Sequence, residues 1–133
     1  MLHMLDTNIV SYIIKGHSKK IEQKLSLLPS EMICISVMTR AELLYGLKKL
    51  AEASQIHMAV HQLLKIIRAL PWDSDAANYY ADIRHQLTAN GQGIGEMDMM
   101  IAAHSLSAGA VLVTNNLRHF ERIQPPLMLE NWT

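Results

Sequence analysis

Apolar positions along the chain follow two periods. Short, largely apolar runs at Leu2 to Leu5, Met32 to Ser36 and Ala110 to Thr114 have the length and β-type composition of buried strands. Ala110 to Thr114 is the clearest of the three. Elsewhere apolar residues recur at helical spacing: Ile9, Val10, Ile13 and Ile14 within residues 9–15, then Thr39 through Leu50, Ser54 to Ala69, and residues 96–108. Gly16 and Gly109 predict helix stops. Ser18 caps a helix reaching about Leu28, before Pro29, and Asp73 or Ser74 caps one ending near Asn90 and Gly91. Leu70-Pro71-Trp72 reads as a short extended piece and Gly91 to Gly95 as a loop. Asn115 and Asn116 read as caps of a short helix through Phe120, and Leu127 to Leu129 as a last edge strand.

Continuous apolar strands alternating with helices predict an α/β fold, a parallel sheet covered on both faces. Sites in such sheets form beyond the carboxyl ends of the strands. Asp6 directly follows the first strand, and Glu42 lies in the helix after the second. Asp98 lies near the start of the helix before Ala110–Thr114, and Thr114, Asn115 and Asn116 lie at that strand's end. Each acid also has a local structural explanation. Asp6 suits a helix cap, and Asp98 suits the first turn of a helix dipole. Ala102 and Ser105, at i+4 and i+7 from Asp98, are small enough to pack closely on a sheet. Glu42 is more informative, because Met38, Tyr45 and Gly46 share its side of the helix. A carboxylate on an apolar border loses hydration unless it has a partner. At this level the partner is open: a cation, a water bound to one, or an ion pair with Lys49.

Composition narrows the chemistry. The 133 residues fit one domain, 1–133, large enough to bury a core without disulfides. Cys34 is the only cysteine and lies in an apolar run, which suits a buried hydrophobe. Lys plus Arg and Asp plus Glu number 12 each, a balance unlike that of a strongly basic nucleic-acid binder. An acidic site would, however, offset basic residues placed elsewhere. The apolar N-terminus lacks a basic n-region and is interrupted by Asp6, so it is not expected to be a signal peptide. No run approaches the roughly 18 apolar residues of a membrane span, and the expected location is cytoplasmic.

Carboxylates gathered without thiols suit a hard cation, Mg²⁺ or Mn²⁺, which assists phosphoryl chemistry by activating water and stabilising charge on phosphate oxygens. Other signals carry less. His57 and His61 stand at i and i+4 but lack the glutamate of a zinc-protease motif. Gly91, Gly93 and Gly95 follow a helix, not a strand, and so form no dinucleotide fingerprint. Lys15, Lys19, Lys20 and Lys24, and Arg118, His119 and Arg122, are two basic groups suited equally to RNA phosphates or to a solvated face. The apolar surplus of the 54–69 helix suits core packing or a partner surface.

Four segments carry a resemblance: Met4-Leu5-Asp6-Thr7-Asn8, Arg40 to Gly46, Ile94 to His104 and Val113-Thr114-Asn115-Asn116. They occur in PIN-domain order and look like the VapC toxins of bacterial toxin–antitoxin pairs. The likeness continues to Phe120 and Glu130-Asn131-Trp132, so it spans essentially the whole chain. It implies a three-layer α/β/α PIN-like fold with a mainly parallel central sheet. It also implies Mg²⁺-dependent endoribonuclease activity, with Mn²⁺ able to substitute. The implied partners are a VapB-type antitoxin and a second copy of the chain within a larger complex, with DNA met only through the antitoxin and no membrane. The Thr-Asn-Asn and terminal Asn-Trp motifs resemble the branch that cleaves initiator tRNA in the anticodon stem-loop.

By position, the resemblance makes Asp6 and Asp98 the principal metal ligands, with Glu42 completing the set directly or through water. Asn116 stands where many PIN domains carry a fourth acid, and Glu96 and Glu121 are the candidates to replace it. Thr7 and Thr114 would orient water or phosphate. A carboxylate site without a paired-histidine acid and base points to in-line attack of cation-activated water, not of the RNA 2′-hydroxyl. Two rivals remain. A phosphatase using Asp6 as nucleophile calls for a second acid at position 8, where this chain has Asn8. A catalytically weak PIN-like module that binds RNA or antitoxin is favoured by Asn116 and opposed by the three intact acids.

Overall fold

Strand residues alternate between two faces, and here both faces are apolar. In this computed structural model, which describes residues 1–16, 18–52 and 54–133, the strands are β1 (His3–Leu5), β2 (Ile33–Ser36), β3 (Arg68–Leu70), β4 (Val111–Val113) and β5 (Leu129–Glu130). Met4, Cys34 and Leu112 enter one core with Ile83, Leu87, Ile101 and Phe120. Leu5, Ile35 and Val113 enter the other with Ile9, Val10, Leu43 and Trp132. This period-two division requires helices on both sides of the sheet. They are α1 (Thr7–Lys15), α2 (Lys19–Ser26), α3 (Val37–Leu47), α4 (Gln55–Ile66), α5 (Ser74–Ala89), α6 (Glu96–Ala108) and α7 (Leu117–Phe120).

The strands run in the order β3-β2-β1-β4-β5 with every pairing parallel. Leu5 stands beside Ile35 and Val113, and Val113 beside Glu130. Asp6 and Thr114, one residue further along adjacent strands, therefore emerge together. The expected stops at Gly16 and Gly109 are present, at φ 66° and 63°, a left-handed conformation that glycine adopts without a Cβ clash.

Several boundaries differ from the sequence expectation. The helix expected over 54–69 ends at Ile66, and Arg68–Leu70 is a strand. The backbone turns extended at Ile67, where pairing to the free edge of β2 satisfies groups that another helical turn would have used internally. The extended piece expected at Leu70–Trp72 thus lies earlier. α3 begins at Val37, because the Ser36 side chain caps it through the Met38 N–H at 3.1 Å, and ends at Leu47. The last strand is Leu129–Glu130, later than expected. Asn116 occupies the cap position of α7 without a side-chain cap bond. Its own N–H donates to Thr114 Oγ1 at 3.0 Å. His57 Nε2 lies 3.2 Å from the Leu47 carbonyl oxygen, closing the end of α3. The His57–His61 pair thus has a structural use.

One buried link holds together the elements that carry the acids. Ser36 Oγ lies 2.7 Å from His104 Nδ1, and the Pro71 carbonyl accepts a hydrogen bond from the same ring. Ser36 accepts from Met38 N–H, so its own proton goes to Nδ1 and the ring is neutral with its proton on Nε2. β2, α3, α6 and the connection from β3 to α5 meet at this one imidazole. Burial lowers the His104 pKa, against smaller opposing effects from Asp73 and the Pro71 carbonyl.

A histidine with a depressed folded-state pKa contributes stability that is complete above the unfolded value and lost as pH falls below it. The urea midpoint should therefore decline as pH drops below about 6.5, and should decline less in His104→Asn. Equal pH dependence in the two proteins would contradict this role for His104.

Candidate active site

Asp6 is both the cap of α1 and the hinge between strand and helix. Its N–H continues the sheet by donating to the Val113 carbonyl at 3.0 Å, and its Oδ1 accepts from Ile9 N–H at 2.9 Å. The fully buried Thr114 hydroxyl hydrogen-bonds the same carboxylate. Asp6 is 5% exposed. Burial raises its pKa first, and the charges of Asp98 and Glu42 raise it further, while Thr114 and Ile9 pull it down. Asp98 and Glu42 are thus near enough for their charges to act on Asp6.

Glu42, on α3, accepts a hydrogen bond from the Thr7 hydroxyl, and Thr39 Oγ1 lies 3.2 Å from Thr7 Oγ1. The partner left open by the sequence is therefore a threonine of α1. Lys49 instead places its ammonium 5.0 Å from the Tyr45 ring centroid. Asp98, in the first turn of α6, has Oδ2 3.9 Å from His119 Nδ1. Burial raises the Asp98 pKa, and His119 opposes the rise. Asn116 Nδ2 is 2.8 Å from His119 Nδ1, so Asn116 reaches the cluster through this ring.

The structure thus brings together Asp6, Thr7, Glu42, Asp98 and Thr114, with Asn116 linked through His119. Glu96 does not join them. Its Oε1 accepts from Tyr80 OH at 2.9 Å and lies 3.5 Å from Arg84 Nη1, on the surface between α5 and α6. Glu121 is exposed just after α7. Sequence reasoning missed Thr39, and it grouped His119 with a basic surface. The i, i+3 spacing of Asn116 and His119 on a short helix was the signal that could have found the ring. Asn115 donates to Tyr12 OH at 2.9 Å, and its Oδ1 is buried without a partner among the described residues.

Carboxylates and hydroxyls without a thiol form a hard-oxygen donor set. A divalent cation would relieve the repulsion that raises Asp6. Among the described residues, no three carboxylate, imidazole or thiol groups already converge into one shell.

A parallel sheet with acids at its carboxyl end is the frame of a known nuclease class. A family model described as PIN domain matches residues 3–124. Among curated proteins, the chain is 40% identical over 129 residues to the tRNA(fMet)-specific endonuclease VapC of Salmonella typhimurium, covering 97% of this chain and 96% of that one. It is 38% identical over 133 residues to Ribonuclease VapC2 of Rickettsia felis, covering 99% and 98%. Its fold superposes on the crystal structure of DNA-bound VapBC from Salmonella typhimurium with a TM-score of 0.91, at 38% identity and 100% coverage of both chains. The chain belongs to the VapC ribonucleases of the PIN-domain family, and is an endoribonuclease.

Asp6→Asn keeps an acceptor at the cap and removes the charge. Because the folded-state pKa is raised, ionised Asp6 costs stability at neutral pH. Without divalent cation at pH 7.5, the variant should be more stable by about 0.5–2 kcal/mol, read as a higher urea midpoint at unchanged slope. A lower midpoint would mean that the Asp6 charge stabilises the fold.

Proposed function

We propose that the chain is the Mg²⁺-dependent toxin of a toxin–antitoxin pair and hydrolyses phosphodiesters of tRNA, with initiator tRNA as the substrate. The observation that carries this reading is the buried Asp6 carboxylate at the carboxyl end of the sheet, within reach of the charges of Asp98 and Glu42. Support for the substrate comes from the Salmonella relative, named for cleavage of tRNA(fMet). Support for a VapB-type antitoxin, with DNA met through it, comes from likeness to a DNA-bound VapBC complex.

Asp6 and Asp98 would hold the cation, with Glu42 completing the set directly or through a water. When bound, the cation supplies stabilisation of charge on the phosphate and lowers the pKa of water. The chain's own residues do the rest. Thr114 and the Ile9 N–H fix the Asp6 carboxylate. Thr7 engages Glu42 Oε1, leaving Oε2 to accept the proton of the attacking water. The water oxygen forms the new bond to phosphorus as the bond to the departing sugar oxygen breaks, and that oxygen takes up a proton from solvent to leave as a hydroxyl.

From Thr7 and Glu42 a groove continues between α1, α3 and α4, past Ser11 and Lys15 to Leu43, Gly46, Leu50, Ile56 and Val60. An apolar antitoxin segment laid there would cover Glu42. Ile56, partly exposed on α4, belongs to that apolar lining.

Antitoxin-free protein incubated with total tRNA and Mg²⁺ should cut a discrete species without leaving a 2′,3′-cyclic phosphate. EDTA should abolish cleavage, and Asp98→Asn should lower the rate at least about 10²-fold. Equal cleavage by wild type and variant would refute the acid-site mechanism. Inertness of the wild type on every RNA tried would favour a binding module.

A further inference from the structure

We propose that a cleft between α2 and residues 131–133 binds the phosphate backbone of the substrate RNA away from the bond that is cut. This rests on RNA as the substrate class, which the family shows, and not on the choice of cation.

The cleft, of about 310 Å³, is lined by Lys20, Gln23 and Lys24 on α2 and by Asn131, Trp132 and Thr133 after β5. Both walls are pinned to one core. Ile21 and Trp132, each flanked in sequence by cleft residues, are buried together with Leu5 and Ile9. The Trp132 ring N–H donates to Glu130 Oε1 at 2.9 Å, and Glu130 Oε2 lies 3.6 Å from His3 Nε2, so this neighbouring carboxylate is already engaged. Asn131 Oδ1 accepts from Thr133 N–H at 3.0 Å and from Thr133 Oγ1 at 2.6 Å, which leaves the Asn131 amide N–H groups as donors.

The charged side chains of the cleft are both positive. Lys20 and Lys24 are exposed and stand at i and i+4, one turn apart on one side of α2. Among the described residues, no carboxylate lies within ion-pair distance of either ammonium. Glu22 is two positions from each and does not share their side of the helix. Unpaired like charges one turn apart repel each other, and an anion between them removes that cost. A phosphodiester brings one negative charge and oxygen acceptors, the complement of ammonium and amide donors.

The cleft is also connected to the acids. Residue 131 directly follows β5, where the Glu130 carbonyl accepts from Thr114 N–H at 2.9 Å, and the Thr114 hydroxyl holds Asp6. β5 stands two strand spacings from β1, about 10 Å. An RNA strand crossing the carboxyl end of the sheet from Asp6 over β4 and β5 therefore arrives at Asn131, with the lysines beyond it. Of the four lysines grouped by the sequence, these two line this cleft, whereas Lys15 lines the groove beside Glu42.

The test is binding of fluorescently labelled total tRNA by the antitoxin-free full chain, followed by anisotropy across a KCl series in EDTA. Wild type is compared with Lys20→Gln/Lys24→Gln, Lys20→Arg/Lys24→Arg, Asn131→Asp, and a charge-matched pair outside the cleft, Lys48→Gln/Lys65→Gln. The cleft glutamine pair should weaken binding about tenfold at low salt and lower the slope of log affinity against log salt by about 1 to 2. The arginine pair should keep the slope, and the outside pair most of it. Asn131→Asp, which retains the acceptor for Thr133, should weaken binding at an unchanged urea midpoint. In cleavage assays the cleft glutamine pair should raise KM more than it lowers kcat. A wild-type slope in that pair overturns the proposal, as does an equal loss in the outside pair or a wild type that binds no tRNA. An unchanged slope beside intact Mg²⁺-dependent cleavage overturns this inference alone. A lowered slope beside cleavage that resists EDTA upholds it and overturns only the cation-dependent reading.

Discussion

Burying one carboxylate among others of like charge is the constraint around which this molecule is arranged. Asp6 sits at the carboxyl end of the central strand, 5% exposed, with its pKa raised by burial and by Asp98 and Glu42. A cap bond from Ile9 and a hydroxyl from Thr114 offset part of that cost. What remains is an unfavourable field that a divalent cation, and through it a phosphate, would relieve. On the proposed reading, the same arrangement that costs stability without a cation would give affinity for one.

The rest of the fold keeps that field focused. Parallel register brings Asp6 and Thr114 out side by side, and the Asp6 N–H extends the ladder to Val113. Glu42 reaches the site from α3, whose start is set by Ser36, and Asp98 reaches it from α6, which Ser36 meets again through His104. One serine therefore couples the placement of two acids lying on different helices. The apolar faces of the sheet hold this frame. Small Ala102 and Ser105 are fully buried on the Asp98 helix, which lets α6 lie close to the strands.

Much of this was legible in the sequence. Short, largely apolar runs marked β1, β2 and β4, and the polar residues after them marked the site. Strand β3 was hidden because Leu63, Leu64, Ile66 and Ile67 extend a helical pattern into it, with no glycine to break the run. Only Pro71, which disfavours helix in the residue before it, argued for an extended Leu70. Pairing with the β2 edge, a long-range effect, decides the matter. Glu42's neighbours showed that it needed a partner but not which one. The answer, Thr7, lies 35 residues away and depends on how α1 and α3 pack. Glu96 and Asp98 are two residues apart on one helix and so diverge, one to the α5 surface and one to His119. His119 could be seen as basic but not as facing an acid, because the short α7 takes its orientation from buried Phe120.

If the three acids form a single cation site, they must lose cation binding together. Isothermal titration of Mg²⁺ into the wild type and into Asp6→Asn, Glu42→Gln and Asp98→Asn measures this directly. One saturable binding event in the wild type, abolished or sharply weakened in each of the three variants, is the predicted result. A variant at any of the three positions that binds Mg²⁺ as the wild type does would contradict a shared site.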